Sequence, residues 1–257
     1  MTPRVVSYAG GARWLAEGWR LFRVAPLAWL VLVLAYWMLM TIASLVPLVG
    51  LAVATVLIPA FSVGFMAAGR SCAAGKAPEL AVLFEGFRGR LAVQLTLGGA
   101  YLALLALLLG ATGLADDGAL ATWMLTGRRP GDEVLQSDAF LAALALAAAL
   151  YVPVMMLFWF APPLAAWHGL GAAQALFYSF VASLLNWRAF LGYGALAALV
   201  TVVVPFLLLS ALLLVSGGNL KMAATGLVFP LLIVLLPILF ASFYASYREV
   251  FGAQGEG

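Results

Sequence analysis

From Val24 to Gly69 the chain carries 46 consecutive residues without a charge, bounded by Arg23 and Arg70. An α-helix rises about 1.5 Å per residue, so a single helix over that run would measure roughly 70 Å. The hydrocarbon core of a bilayer is only ~30 Å thick. The run therefore predicts two crossings, with Pro47 and Gly50 near its midpoint, where a missing N–H and a fixed φ suit a tight turn. Both flanking arginines then fall on one side.

The remaining chain has the same character. It is 66% hydrophobic and 9% charged, whereas soluble domains average about half apolar and ~25% charged residues. Backbone amides in lipid must be satisfied within their own segment, and long runs of Leu, Ala and Val lack the alternation of a membrane β-barrel. The expectation is an all-α polytopic membrane protein, a single integral membrane domain over residues 1–257. Its six spans fall near 26–46, 48–69, 91–114, 139–161, 189–216 and 222–247, with Gly217, Gly218, Asn219 and Lys221 as the last turn and a Gly-rich tail after Phe251. The first two dozen residues hold Arg4, Arg13, Glu17, Arg20 and Arg23 and no cleavable apolar region, so the first span is expected to act as the targeting signal.

A pattern recurs before each pair of spans. Leu15, Trp19 and Phe22 stand at i, i+4, i+7 before Arg23; Leu80, Phe84 and Phe87 before Arg88; Phe180, Leu184 and Trp187 before Arg188. Such spacing predicts amphipathic helices lying in the headgroup layer. In the second span of each pair, Pro59, Pro153 and Pro237 are followed six residues later by Phe65, Trp159 and Phe243, and these prolines are candidate helix kinks. The chain thus reads as three pseudo-repeats, about 8–70, 77–166 and 171–248, each an interfacial helix and a helical hairpin.

Lysines and arginines near span ends are retained in the cytoplasm. Ten of the thirteen lie in the N-terminus, the second and fourth loops and the C-terminal tail, so both termini are expected to be cytoplasmic. No Asp, Glu, Lys, Arg or His falls within the six expected spans. Intramembrane enzymes and ion-coupled carriers usually place an ionisable group at that depth. His168, the sole histidine, lacks a catalytic partner in the sequence, and Cys72 is the sole cysteine. Asp116, Asp117, Asp132, Glu133 and Asp138 in the third loop match no calcium-loop spacing. No catalytic, cofactor or metal residues, no cofactor and no nucleic-acid partner are therefore expected.

What remains are Arg23, Arg70, Arg88, Arg188 and Arg248, an expected cationic rim whose guanidinium groups can fork onto lipid phosphates or contact a membrane partner or a second copy. The leading expectation is a non-enzymatic membrane protein that binds lipids, anionic ones among them, or a membrane partner. The alternative is a transporter or channel for a neutral or amphipathic small molecule past the kinked helices.

The stretches S-F-V-A-S-L-L-N-W-R-A-F at Ser179 to Phe190, L-F-E-G-F at Leu83 to Phe87, and W-x-x-x-x-W-x-x-F-x-x-x-P made by Trp14, Trp19, Phe22 and Pro26 resemble an uncharacterised family of proteobacterial six-span inner-membrane proteins. More remotely the chain is similar to the membrane domain of some glycerophosphodiester phosphodiesterases, without their hydrolase domain. The resemblance implies a bacterial inner membrane and no agreed activity. Reporter fusions after Arg23 and after Arg70 are expected to report the same compartment; opposite compartments would reduce the run between them to a single crossing.

Overall fold

The computed structural model describes residues 2–46, 49–215 and 229–252, and every regular element among them is helical. The order is α1 (Gly10–Val24), α2 (Pro26–Ala43), α3 (Val49–Ala73), a 3-10 helix (Leu80–Phe87), α4 (Leu91–Asp116), α5 (Ala119–Thr126), α6 (Asp132–Leu135), α7 (Asp138–Phe158), α8 (Ala161–Trp167), α9 (Ala172–Leu185), α10 (Trp187–Ala198), a π-helical turn (Leu199–Val203), α11 (Val204–Val215) and α12 (Phe229–Phe251). Pro47, the expected turn at 217–221, the first residues of the expected sixth span and the tail beyond Gly252 lie outside the described residues.

Among the described residues, six stretches are long and apolar enough to cross a membrane: Pro26–Ala43, Val49–Ala73, Leu91–Asp116, Asp138–Trp167, Trp187–Leu214 and Ile233–Phe251. Charged residues occur only toward their ends, as with Arg70, Asp116, Arg188, Arg248 and Glu249. The chain gathers into two compact units, one of Met1–Leu39, Phe61–Arg88 and Val181–Gly257, the other of Met40–Ala60 and Gly89–Phe180. Three of the four limits of these units fall within α2, α3 and α9, and the fourth lies between the 3-10 helix and α4.

In the first unit α1 packs along α10 and α12. Gly10, Gly11 and Gly18 share its buried face with Trp14, Leu15, Leu21 and Phe22. A Cβ at Gly18 would stand 2.6 Å from the Ile238 carbonyl oxygen, and one at Gly11 would overlap the backbone at Ala189 and Tyr193. These glycines bring helix backbones together, as small residues do in membrane bundles. Trp14 lies against Phe190 and Tyr193, with ring centroids 5.2 and 5.9 Å away. Of the apolar triad read from the sequence, Leu15 and Phe22 are buried while Trp19 is 45% exposed.

The same unit contains the segment before Arg88. It is helical as expected, but winds as a 3-10 helix, in which residues three apart share a face. Leu83 and Gly86 are accordingly its buried pair, and Leu80 and Phe84 are exposed. Leu83 sits so close to Gly64 of α3 that a Cβ there would overlap its backbone. Deeper in the unit, Phe65 of α3 stacks on Phe240 of α12 at 4.0 Å, and Tyr36 of α2 sets its ring edge-on to both.

In the second unit α4 packs on α7, and the Tyr101 and Tyr151 hydroxyls hydrogen-bond at 3.1 Å. The expected fourth span does not stop at Pro162-Pro163. The two prolines instead occupy the first positions of α8, where a missing N–H costs no helical bond. Side chains close the break between α7 and α8: the Ser179 hydroxyl accepts from the Phe160 N–H and donates to the Met156 carbonyl, and the buried Gln94 amide donates to the Pro162 carbonyl. The expected third loop folds into α5 and α6. Asp116 starts it by accepting from the N–H groups of Gly118 and Leu120, next to Asp117 and Gly118 in the left-handed region.

Pro59, Pro153 and Pro237 all lie inside helices, α3, α7 and α12 respectively. Each removes the donor that would reach the carbonyl four residues earlier. Pro205 follows the π-helical turn, in which the Val204 N–H reaches back to the Leu199 carbonyl.

Gly98 and Gly99 offer a paired test of this packing. A Cβ at Gly98 would overlap the Val56 backbone, whereas one at Gly99 meets nothing within 4 Å. Gly98→Ala is expected to lower thermal stability in detergent by about 1–3 kcal/mol, and Gly99→Ala to leave it unchanged or raise it slightly.

Candidate functional site

The densest group of charges in the first unit lies where α1 meets the C-terminal end of α12. Glu249 accepts two hydrogen bonds, from the Arg13 guanidinium and from the indole N–H of the buried Trp14, both at 2.6 Å. One turn along α1, Glu17 accepts from Arg20 at 2.5 Å and from Arg248 at 2.6 Å. The neighbouring guanidinium of Arg20 holds the Glu17 carboxyl below the usual range; burial opposes this, and Arg248 adds to the lowering. Arg23 has no carboxylate partner among the described residues and lies 5.7 Å over the Trp19 ring.

Arg13, Arg20, Arg23 and Arg248, with Glu17 and Glu249, line one cleft of about 540 Å³. Four guanidinium groups against two carboxylates leave it two positive charges in excess. An excess of this sign attracts anions, and the half-exposed indole of Trp19 lies under Arg23 at its edge.

The five arginines singled out in the sequence have different surroundings. Arg23 and Arg248 face this cleft. Arg70 is ion-paired at 2.7 Å with Glu85 of the 3-10 helix, tying α3 to that segment. Arg188 lies 5.3 Å over the ring of its neighbour Trp187, and Arg88 is exposed. In the second unit His168 ends α8, where burial lowers its imidazole pKa. Cys72 is buried, Asp116 caps α5, and Asp132 pairs with Arg129 at 2.7 Å.

Against known proteins, no family model and no solved structure matches the chain. Over 98% of its length it is 41% identical to a Burkholderia thailandensis protein named a probable inner membrane protein, of which it covers 94%. The chain belongs to that protein's family. With six membrane-capable helices among its described residues, the chain fits an integral membrane protein, and its relative is the one named for the inner membrane. The similarity to the membrane domain of glycerophosphodiester phosphodiesterases finds no support in these matches.

Several residues that build the site in this family member were not picked out from the sequence. Glu17 and Glu249 carry no motif, although the Glu17–Arg20 spacing of three is that of a helical ion pair. Asn186 is fully buried: its side-chain oxygen accepts from the Val6 N–H at 2.6 Å, and its amide donates to the carbonyls of Arg4 and Ala182. With the Arg4 N–H donating to the Val250 carbonyl, it holds the segment ahead of α1 in place. Nothing local marks it, because its partners Arg4 and Val6 lie about 180 residues away in the chain.

A carboxyl whose folded pKa is depressed contributes stability above its ordinary value and loses it as pH falls through the lowered one. The docking of α1 on α12 is therefore expected to hold at neutral pH and weaken below about pH 4. Hydrogen exchange of α1 amides checks this, and Glu17→Gln should raise α1 exchange at neutral pH and flatten its acid dependence.

Proposed function

We propose that this chain is a non-enzymatic membrane protein that binds anionic lipid through arginines at the ends of its spans, with both termini on the cytoplasmic side. The observation that carries this reading is the cleft of α1 and α12, two positive charges in excess at the end of a membrane-capable helix. Each basic group near an anionic membrane surface is worth about 1 kcal/mol. Guanidinium groups suit phosphate because they donate in parallel pairs. Arg23 on Trp19 and Arg188 on Trp187 add the pairing of cation and indole common at that depth. The non-enzymatic part is supported by the uses found for the polar candidates: Asp116 as a cap, Asp132 in an ion pair, His168 at a helix end. The three-repeat reading is supported by the prolines of α3, α7 and α12, each inside the second helix of its pair.

Protein reconstituted in nanodiscs of mixed phosphatidylglycerol and phosphatidylcholine tests the reading. Arg23→Gln, Arg88→Gln and Arg188→Gln together are expected to lower the preference for phosphatidylglycerol among co-purifying lipids by at least tenfold. An unchanged preference would remove the lipid role and leave the same arginines to a membrane-protein partner or a second copy.

A further inference from the structure

Beside the charged cleft, on the other flank of α1, lies a second cavity of about 540 Å³ in the same unit. Its walls are apolar apart from Thr201: Leu15 and Trp19 of α1, Leu196 and Val200 where α10 runs into the π-helical turn, and Leu231 to Leu239 of α12. Along α12 this groove is roughly 12 Å long at the helical rise of ~1.5 Å per residue, close to the ~15 Å depth of one leaflet.

The groove and the cleft adjoin. Ala16 lines both, and Trp19 of the groove carries Arg23 of the cleft on its ring. Along α12 the order is apolar groove first, from Leu231 to Leu239, then the charged cleft at Ala245, Arg248 and Glu249 near the helix end. An apolar slot of leaflet depth leading into a cationic mouth has the dimensions and polarity of one diacylglycerophospholipid.

Resting on the lipid-binding reading above and narrowing it, we propose that this paired site holds a single anionic phospholipid. An acyl chain lies between α1, the π-helical turn and α12, and the phosphate sits against Arg20 and Arg23. The charge balance selects the headgroup. Arg13 is matched by Glu249, and Glu17 is shared by Arg20, which meets both of its oxygens, and Arg248, so Arg23 carries one excess charge and the Arg20–Glu17–Arg248 group beside it carries the other. Hydrocarbon, not water, fills the groove, since Thr201 supplies its only hydroxyl and donates that to the Ala197 carbonyl at 2.7 Å.

Native mass spectrometry of the full chain, titrated with phosphatidylglycerol or phosphatidylcholine, separates the parts of this proposal. One tightly held phosphatidylglycerol per chain is expected, with its preference over phosphatidylcholine falling about fivefold for Arg23→Gln and again for Arg20→Gln. Arg23→Lys should keep most of the preference. Val200→Phe, which fills the groove without touching a charge, should remove the bound lipid of either kind. If the arginine variants act as expected and Val200→Phe changes nothing, lipid binds at the rim alone and the paired site is overturned. If inorganic phosphate displaces the headgroup as well as short-chain phosphatidylglycerol does, the cleft is a free-anion site and the proposal fails. Loss of preference in the triple variant at Arg23, Arg88 and Arg188 but not in Arg20→Gln or Arg23→Gln would keep the wider lipid reading and reject this site. Circular dichroism and thermal melting of each variant identify any that misfold, and Thr201→Val, which keeps the groove's shape, should retain the lipid.

Discussion

The constraint that governs this molecule is that a peptide group in hydrocarbon has no water to bond. Every N–H and C=O must find a partner in the chain itself, and the six apolar helices meet that demand over most of their length. The informative places are those where a helix stops short of it. At the junction of α7 and α8, Ser179 and Gln94 supply the missing bonds from other helices. At the junction of α9 and α10, Asn186 serves both the helix that ends there and the extended segment ahead of α1. Ser179, Gln94 and Asn186 are thus buried polar side chains that mend backbone where a helix breaks.

Once the backbone is satisfied, close approach becomes the source of cohesion, because lipid tails are as apolar as the side chains they would displace. Gly11 and Gly18 of α1, Gly64 of α3 and Gly98 of α4 each face another segment's backbone or Cβ atoms at a distance no side chain would permit. Around these points larger groups lock the helices laterally, as Trp14 does against Phe190 and Tyr193, and as Phe65 does against Phe240. The Tyr193 and Ser242 hydroxyls join α10 to α12 at 2.7 Å in a buried position, with Ser242 donating its own hydrogen bond to the Leu239 carbonyl.

How much of this could be read in the sequence follows from the same physics. Length and apolar content are local properties, so the six spans and the all-helical class were legible, and so was the placing of Pro59, Pro153 and Pro237 inside helices. Periodicity was less reliable. The i, i+4, i+7 spacing at Leu80, Phe84 and Phe87 assumes 3.6 residues per turn, and the 3-10 winding of that segment buries Leu83 instead. In α1 the spacing gave Leu15 and Phe22 correctly but missed Trp14 and the glycines, because that face is shaped by two neighbouring helices. The arginines stood out by their position, whereas Glu249, Glu85 and Glu17, which pair with Arg13, Arg70 and Arg248 by contacts across elements, did not. A partner more than two hundred residues distant leaves no local trace.

That separation also sets an order of events during synthesis. Arg13 and Trp14 leave the ribosome near the start, yet Glu249 lies about 236 residues later. At translation speeds of ~5–20 residues per second, that interval is on the order of ten to fifty seconds. For most of it α1 has neither α10 nor α12 to pack against, and its exposed tryptophans and glycine face must be tolerated by the membrane surface or by an assisting factor. The docking of α1 therefore waits on α12, and the first unit closes only when a span more than two hundred residues later has been delivered.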